Sequence, residues 1–287
     1  MREPAVSGLF YSSDKEELKN ELDDLFATAK EKSKHSDKHS DKHSDNLFGV
    51  VSPHAGYMYS GKTAAVAIDS IMEADTYILI GSNHTGFGKA LSFSKETWKT
   101  PLGEVKTDEQ LSRYFSGTRI VHDESAHKRE HSIEVIVPFL QRKMEGKAFK
   151  IFPIVMGDQS KKAAKEIADI LIPLMTEGVK REESDEKLKI AIIASNDFSH
   201  YVSEEYAKRH DEAVINRILS LDVDEFYDFI IKNDSTLCGY GPVGVLMRVA
   251  KALQSEAKLL EYRTSNDALK RKEPAVVGYA AITFEKR

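Results

Sequence analysis

The residues best suited to chemistry stand just beyond short apolar runs. V-V-S-P-H-A-G-Y-M-Y-S-G carries His54, I-L-I-G-S-N-H-T-G-F-G carries His84, and A-I-I-A-S-N-D-F-S-H-Y carries Asp197 and His200. Neutral imidazole is a good ligand for iron, copper and zinc, so His54 and His84 are candidates for two positions of a metal site. Asp197 and His200 are three apart and would point the same way on a helical turn. Asp197 is open to three readings: a third ligand, a group that orients a histidine from behind, or the cap of an Asx turn. One histidine past a strand is commonly structural. Three such loops, gathered at one sheet edge by parallel strands, predict a shared site.

Cys238, in S-T-L-C-G-Y-G-P-V-G, is the only cysteine. A lone cysteine commonly behaves as a small buried hydrophobe. This one precedes a predicted helix start, a position that favours thiolate and hence a ligand or reactive role. K-R-E-H-S-I-E, from Lys128 to Glu134, offers Glu130, His131 and Glu134 at an expected helix start. Acidic groups there suit the helix dipole, and the sharper reading has His131 and Glu130 facing the pocket. His122 and His127 carry no such argument and are expected on the surface. Trp98, before K-T-P-L-G, is expected to pack a turn.

Positioning these residues requires an alternation of strands and helices. Ser13 with Glu16 suggests a capping box, and Leu18, Leu22, Leu25, Phe26 and Ala29 predict an amphipathic helix from about Asp14 to about Lys32. Strands are expected at Leu47–Val51, Tyr77–Ile80, Ala90–Ser94, Glu104–Thr107, Phe149–Met156, Ile190–Ala194, Lys258–Arg263 and Val276–Phe284. Pro153 suggests that its strand is an edge or bulged one. Helices are expected at Thr63–Met72, from Asp108 to near Phe115, and at His131–Met144, Ser160–Met175, 203–219, 223–232 and Gly241–Leu253. Glu177–Lys187 is expected to be a charged loop. The alternation predicts an α/β fold with a central mixed or parallel sheet flanked by helices, and ligands beyond the carboxyl ends of its strands.

K-H-S-D-K-H-S-D-K-H-S-D, from Lys34 to Asp45, stands apart as a low-complexity repeat. His35, His39 and His43 would share a helix face and could bind a metal there; a solvated linker is the favoured reading.

The 287 residues, 41% hydrophobic with a formal net charge of −5, suit one domain over residues 1–287 with the repeat as an insertion. Mild acidity argues against a nucleic-acid partner. No apolar run approaches a membrane span, and M-R-E-P-A-V-S-G-L-F-Y-S-S lacks the apolar run of a signal peptide. One cysteine permits no internal disulfide, which suits a reducing compartment, so a cytoplasmic location is expected.

S-P-H-A-G-Y, G-S-N-H-T-G-F-G, E-H-S-I-E, N-D-F-S-H-Y and C-G-Y-G-P-V, in that order and after R-E-P-A-V-S-G-L-F-Y, resemble the Memo family nearly end to end. The repeat departs from that pattern. The resemblance implies a fold like that of class III extradiol dioxygenases, non-haem iron enzymes that hold ferrous iron on two histidines and a glutamate. By that likeness His54 and His84 match the histidine ligands and His200 matches the acid/base histidine. Cys238 takes the place of the glutamate, a donor set that admits copper or zinc as well as iron. The family also implies roles in redox chemistry, phosphopeptide binding and, for prokaryotic members, a radical-SAM partner protein. Three functions compete. One is a metal-dependent oxidoreductase for a small aromatic or similar substrate, with His54, His84 and Cys238 on the metal, His200 moving protons and Asp197 orienting it. Another is a metal- or ligand-binding protein without turnover. The third is a peptide- or small-ligand-binding module with Lys62 or Arg129 near the pocket.

Replacing Lys34–Asp45 by a short Gly/Ser linker is expected to leave the melting temperature nearly unchanged, since doubling a loop costs only ~0.6 kcal/mol. A large fall in a thermal melt would mean that the repeat packs against the fold.

Overall fold

The computed structural model describes residues 1–35, 46–181 and 184–287. His39, His43 and nearly all of the repeat lie outside the described residues, as do two residues of the charged loop.

Helix α1 (Lys15–His35) buries Leu18, Leu22, Leu25, Phe26 and Ala29, the face expected from their spacing. Its start differs from the expected capping box: Asp14 Oδ1 accepts from the Glu16 and Glu17 amides, both at 2.9 Å. Strand β1 (Leu47–Ser52) leads to α2 (Tyr57–Ser70), six residues earlier than the alanine run suggests, because Tyr57 and Ser60 are buried and extend the packed face. Strands β2 (Thr76–Ser82) and β3 (Leu91–Phe93) follow. The expected turn after Trp98 is a small hairpin of β4 (Trp98–Thr100) and β5 (Gly103–Val105). Residues Glu109–Phe115 form a 3-10 helix that Asp108 does not cap, since its carboxylate accepts instead from Thr76 Oγ1 at 2.6 Å. After β6 (Val121–His122), Glu130 and His131 lie in a loop, not at a helix start. A 3-10 turn at Glu134–Ile136 intervenes before α3 (Val137–Lys143).

Strand β7 (Lys150–Met156) is interior, correcting the edge expectation from Pro153. The β3 ladder stops at Ile154, one residue short of Pro153, whose carbonyl still accepts from the Ser94 amide at 3.1 Å. The chain continues through α4 (Lys161–Thr176), β8 (Ile190–Ser195), β9 (His200–Val202), α5 (Glu204–Leu219), α6 (Val223–Lys232), α7 (Tyr240–Ala252), β10 (Glu256–Thr264), α8 (Ser265–Leu269) and β11 (Val276–Glu285).

Nine of these strands make one mixed sheet in the order β10-β11-β1-β8-β2-β7-β3-β6, with β9 paired to β11. The architecture is α/β, a central mixed sheet flanked by helices. Its centre, β1-β8-β2-β7, is parallel throughout. These strands are buried on both faces and are accordingly rich in Ile, Val, Leu and Ala. β8 sits between β1 and β2, the central place its composition predicts.

The N-terminal segment is fastened by a buried ion pair. Arg2 Nη1 lies 2.6 Å from Glu134 Oε2, with both side chains 1% exposed. Arg2 also donates to the carbonyls of His127 and Glu130, and its guanidinium stacks 4.2 Å from the Trp98 ring centre. Glu134 accepts from the Ala5 and Val6 amides and the Tyr11 hydroxyl, at 2.7, 3.0 and 2.7 Å. His127, expected at the surface, is fully buried against Trp98. Burial holds its imidazole down at about 4.

Arg2→Met keeps much of the packed length but leaves Glu134 as an unpaired buried charge. Breaking such a pair from one side costs ~3–5 kcal/mol. Urea denaturation is expected to register a loss of that order; a change below ~1 kcal/mol would contradict the fastening role.

Candidate metal centre

The parallel register decides where the loops go. Ser52 of β1 pairs with Ser195 of β8, and Ile80 of β2 pairs with Ala194, so the three strands end almost level. Each ends on a buried serine: Ser52, Ser82 or Ser195. Two residues after each serine comes His54, His84 or Asp197. His54, His84 and Cys238 each bring one ligand atom into a group whose members lie within 4.8 Å of one another. Asp197, His200 and Cys238 form a second such group, and His84, Glu130 and His131 a third.

The hydrogen bonds fix which nitrogen of each imidazole is free. Ser195 Oγ gives its only proton to the Ser132 carbonyl at 2.6 Å. It must therefore accept from His54 Nδ1–H, also at 2.6 Å, which leaves the His54 Nε2 lone pair facing Cys238 Sγ at 3.1 Å. His84 Nδ1 donates to Glu130 Oε1 at 2.9 Å, so in the neutral imidazole Nε2 carries the lone pair. His200 Nδ1 donates to the Phe198 carbonyl at 2.6 Å, so its neutral imidazole likewise carries the lone pair on Nε2.

Glu130 is fully buried and accepts four hydrogen bonds. Besides the His84 ring, it accepts from the amides of His84 (2.5 Å), His131 (2.9 Å) and Ser132 (2.8 Å). Burial alone would raise its carboxyl; the bond to His84, its charge and the Ser132 amide outweigh that and hold it down to about 2. Three of these donors fall on Oε1 and one, the His84 amide, on Oε2, so the carboxylate grips His84 by both its ring and its amide and orients it. His131 packs its ring 4.5 Å from that of His84 and 5.0 Å from that of Phe10. Burial holds its imidazole below the usual range, with Glu130 opposing and His84 assisting.

Asp197 makes no hydrogen bond to the His200 ring, although a carboxylate oxygen and a ring nitrogen lie within 4.8 Å. Its Oδ1 accepts from the His54 amide at 2.8 Å, tying the first loop to the third. Burial pushes its carboxyl up to about 6, against that amide and the charges of His200 and His84. Burial, and next the charge of Asp197, also push the Cys238 thiol well above its ordinary value. In the metal-free state this outweighs the thiolate preference expected beside a helix start.

Sequence reasoning missed the groups that hold the Cys238 loop. The Cys238 carbonyl accepts from Ser82 Oγ at 2.5 Å and Gln159 Nε2 at 2.8 Å. Its amide donates to the Asp197 carbonyl at 3.2 Å, and the Gly239 amide to Asn196 Oδ1 at 2.8 Å. Gly239 approaches the end of β8 so closely that a Cβ would collide with the Ser195 carbonyl oxygen. The serine after each apolar run was the available signal.

Beside the cluster opens a cleft of about 810 Å³. His131, Asp197 and His200 line it together with Phe10, Tyr59 and Tyr279. Lys62 and Arg129 do not; Arg129 stacks on Phe87, and the arginine lining the cleft is Arg271.

A family model described as Memo-like protein matches residues 2–283. A MEMO1 family protein of Methanosarcina mazei is 44% identical over 286 residues, covering 99% of both chains. One from Archaeoglobus fulgidus is 39% identical over 284 residues, covering 99% of both. A solved structure of an uncharacterized protein from Escherichia coli K12 superposes with a TM-score of 0.53 at 10% identity, covering 83% of this chain and 99% of that one, a likeness of fold alone.

Asp197 generates a pH test. Its folded-state value of about 6 lies above the ordinary 3.8, so the native state holds more protons between those values. Stability from this group is full below the lower value and declines as pH rises through the upper one. His54, His127 and His131 are depressed and oppose that trend, so the comparison must be between proteins. With metal stripped, Asp197→Asn minus wild type in chemical denaturation is expected to grow more favourable to the variant from pH 4 to pH 6.5. A difference that stays flat would show that Asp197 titrates normally.

Proposed function

The chain belongs to the Memo family, and on that premise we propose that its pocket holds one redox-capable or Lewis-acidic metal ion on His54, His84 and Cys238. The observation that carries the reading is the fixed tautomer of both histidines. Each spends Nδ1–H on a protein acceptor and keeps Nε2 free beside the chain's only thiol. Metal-ligating histidines characteristically donate their second nitrogen to such a partner. His54 is also held neutral by burial, as a ligand must be.

Two imidazoles and a thiolate suit copper or zinc, and admit iron. Such an ion would supply redox chemistry or polarise a bound oxygen. The protein groups around it have separate tasks. His200 lines the cleft with Nδ1 spent on the Phe198 carbonyl, which leaves Nε2 of the neutral imidazole to accept a proton from a bound molecule. Asp197, holding its proton up to about 6, can donate one in mildly acid solution. Phe10, Tyr59 and Tyr279 give the cleft flat apolar surfaces for a small organic ligand. The second reading is a pocket that binds metal and ligand without turnover; its support is the substitution of Cys238 for a ligating carboxylate. We place the protein in the cytoplasm, where a lone thiol stays reduced.

The test is anaerobic titration with Cu(I), Zn(II) and Fe(II). Cys238→Ser is expected to lose at least ~10-fold in Cu(I) and Zn(II) affinity while its metal-free melt moves little. Cys238→Asp is expected to gain Fe(II) affinity relative to wild type. Equal affinities in wild type, Cys238→Ser and His54→Ala would remove the metal reading. Oxygen uptake by the loaded protein then separates a redox enzyme from a binding protein.

A further inference from the structure

We propose that His210 and Asp211 of α5 form a clip that sets the loop carrying His200 against the loop carrying Cys238; the proposal rests on the metal reading above. Both side chains are buried, at 6% and 0% exposure. Asp211 Oδ1 accepts the Ser199 hydroxyl at 2.6 Å and the Ser199 amide at 3.2 Å, while Oδ2 accepts the Tyr262 hydroxyl at 2.8 Å. Ser199 lies between Asp197 and His200, so the carboxylate grips the third loop from behind. Because the Ser199 proton goes to Asp211, its oxygen accepts from His210 Nδ1–H at 3.2 Å. His210 Nε2 then has a free lone pair, which takes the Ser235 hydroxyl at 2.8 Å. Ser235 stands three residues before Cys238. One residue further on, Thr236 Oγ1 accepts the His200 amide at 2.8 Å, closing the connection between the loops.

The fold makes room for this arrangement. A Cβ on Gly278 would collide with the Asp211 carboxylate, and Gly278 itself bonds the Phe198 amide and the Ser199 carbonyl at 2.8 and 2.9 Å. Among the described residues, the basic group within ion-pair reach of Asp211 is His210, Nδ1 to Oδ1 at 3.3 Å. The order hydroxyl, imidazole, carboxylate resembles a nucleophile relay. Yet Ser235 does not line the adjoining cavity of about 330 Å³, and Ser199 takes the strongest bond to the carboxylate. The geometry therefore assigns positioning to these residues.

Cys238 is the only thiol, so its rate of alkylation by iodoacetamide in metal-free protein reports on its loop without background. Ser235→Ala and His210→Gln are expected to label roughly fivefold faster than wild type, as loss of one hydrogen bond would give. Ser235→Thr, which keeps the hydroxyl, is expected to restore the wild-type rate. In Co(II) titrations the first two variants are expected to bind ~10-fold more weakly, with a shifted thiolate-to-metal band. Wild-type labelling rates in both Ser235→Ala and His210→Gln overturn the clip, whatever the metal arm shows. Faster labelling with no Co(II) binding by wild type supports the clip and sinks the metal reading.

Discussion

Everything at the candidate centre depends on three parallel strands ending level. β1, β8 and β2 are hydrogen-bonded neighbours, and Ser52, Ser195 and Ser82 close them within a residue of one another. A slip of one residue in either ladder would turn a strand's side chains to the opposite face. It would also move its loop by more than 3 Å, well beyond the bond lengths of ~2.0–2.3 Å that ligands can span. The buried core enforces the register, because both faces of these strands are apolar and packed. Site geometry is thus a consequence of core packing.

The register brings the ligand atoms near; hydrogen bonds then decide what they present. The serines at the strand ends work on neighbouring loops: Ser82 on Cys238, and Ser195 on His54 and Ser132. Ser132 in turn donates to the Ser82 carbonyl at 2.9 Å. These bonds join the ends of β2 and β8 to the loop that supplies Glu130. That loop is anchored from the other side by Arg2, so the N-terminal segment supports the orientation of His84 through a chain of buried contacts. Phe10, at the far end of the same segment, packs on His131.

The sequence made much of this legible. Apolar runs marked the central strands, the spacing of Leu18, Leu22 and Leu25 marked the first helix, and the strand-end rule drew attention to His54, His84, Asp197 and His200. What escaped it depends on partners distant in the chain. Nothing local to K-R-E-H-S-I-E shows that Glu130 will meet four donors, or that His127 will be covered by Trp98 and by an arginine 125 residues away. Pro153 misled because local chemistry cannot tell where a neighbouring ladder stops. The repeated S-x-H, S-x-H, S-x-D pattern was visible, yet serine at a strand end has meaning only once the strands are known to be parallel and adjacent.

The electrostatics follow one direction. Burial raises Asp197 and Cys238 and lowers His54 and His131, so each is pushed toward its neutral form. Of the shifted groups here, Glu130 is held charged, by the His84 ring and the amides of His84, His131 and Ser132. Below about pH 6 the metal-free pocket keeps the Asp197 carboxyl and the Cys238 thiol protonated in front of the Glu130 carboxylate; above it Asp197 is a second anion. A cation entering the pocket reverses the penalty on the thiol, since a coordinating thiol is deprotonated outright. Its binding must then release that proton. The neighbouring Asp197 would feel the same charge and ionise more readily, so occupancy and proton release are linked through groups less than 5 Å apart. In the function proposed above, His200, on the same cleft wall with Nδ1 held by the Phe198 carbonyl, would carry such a proton to solvent through Nε2.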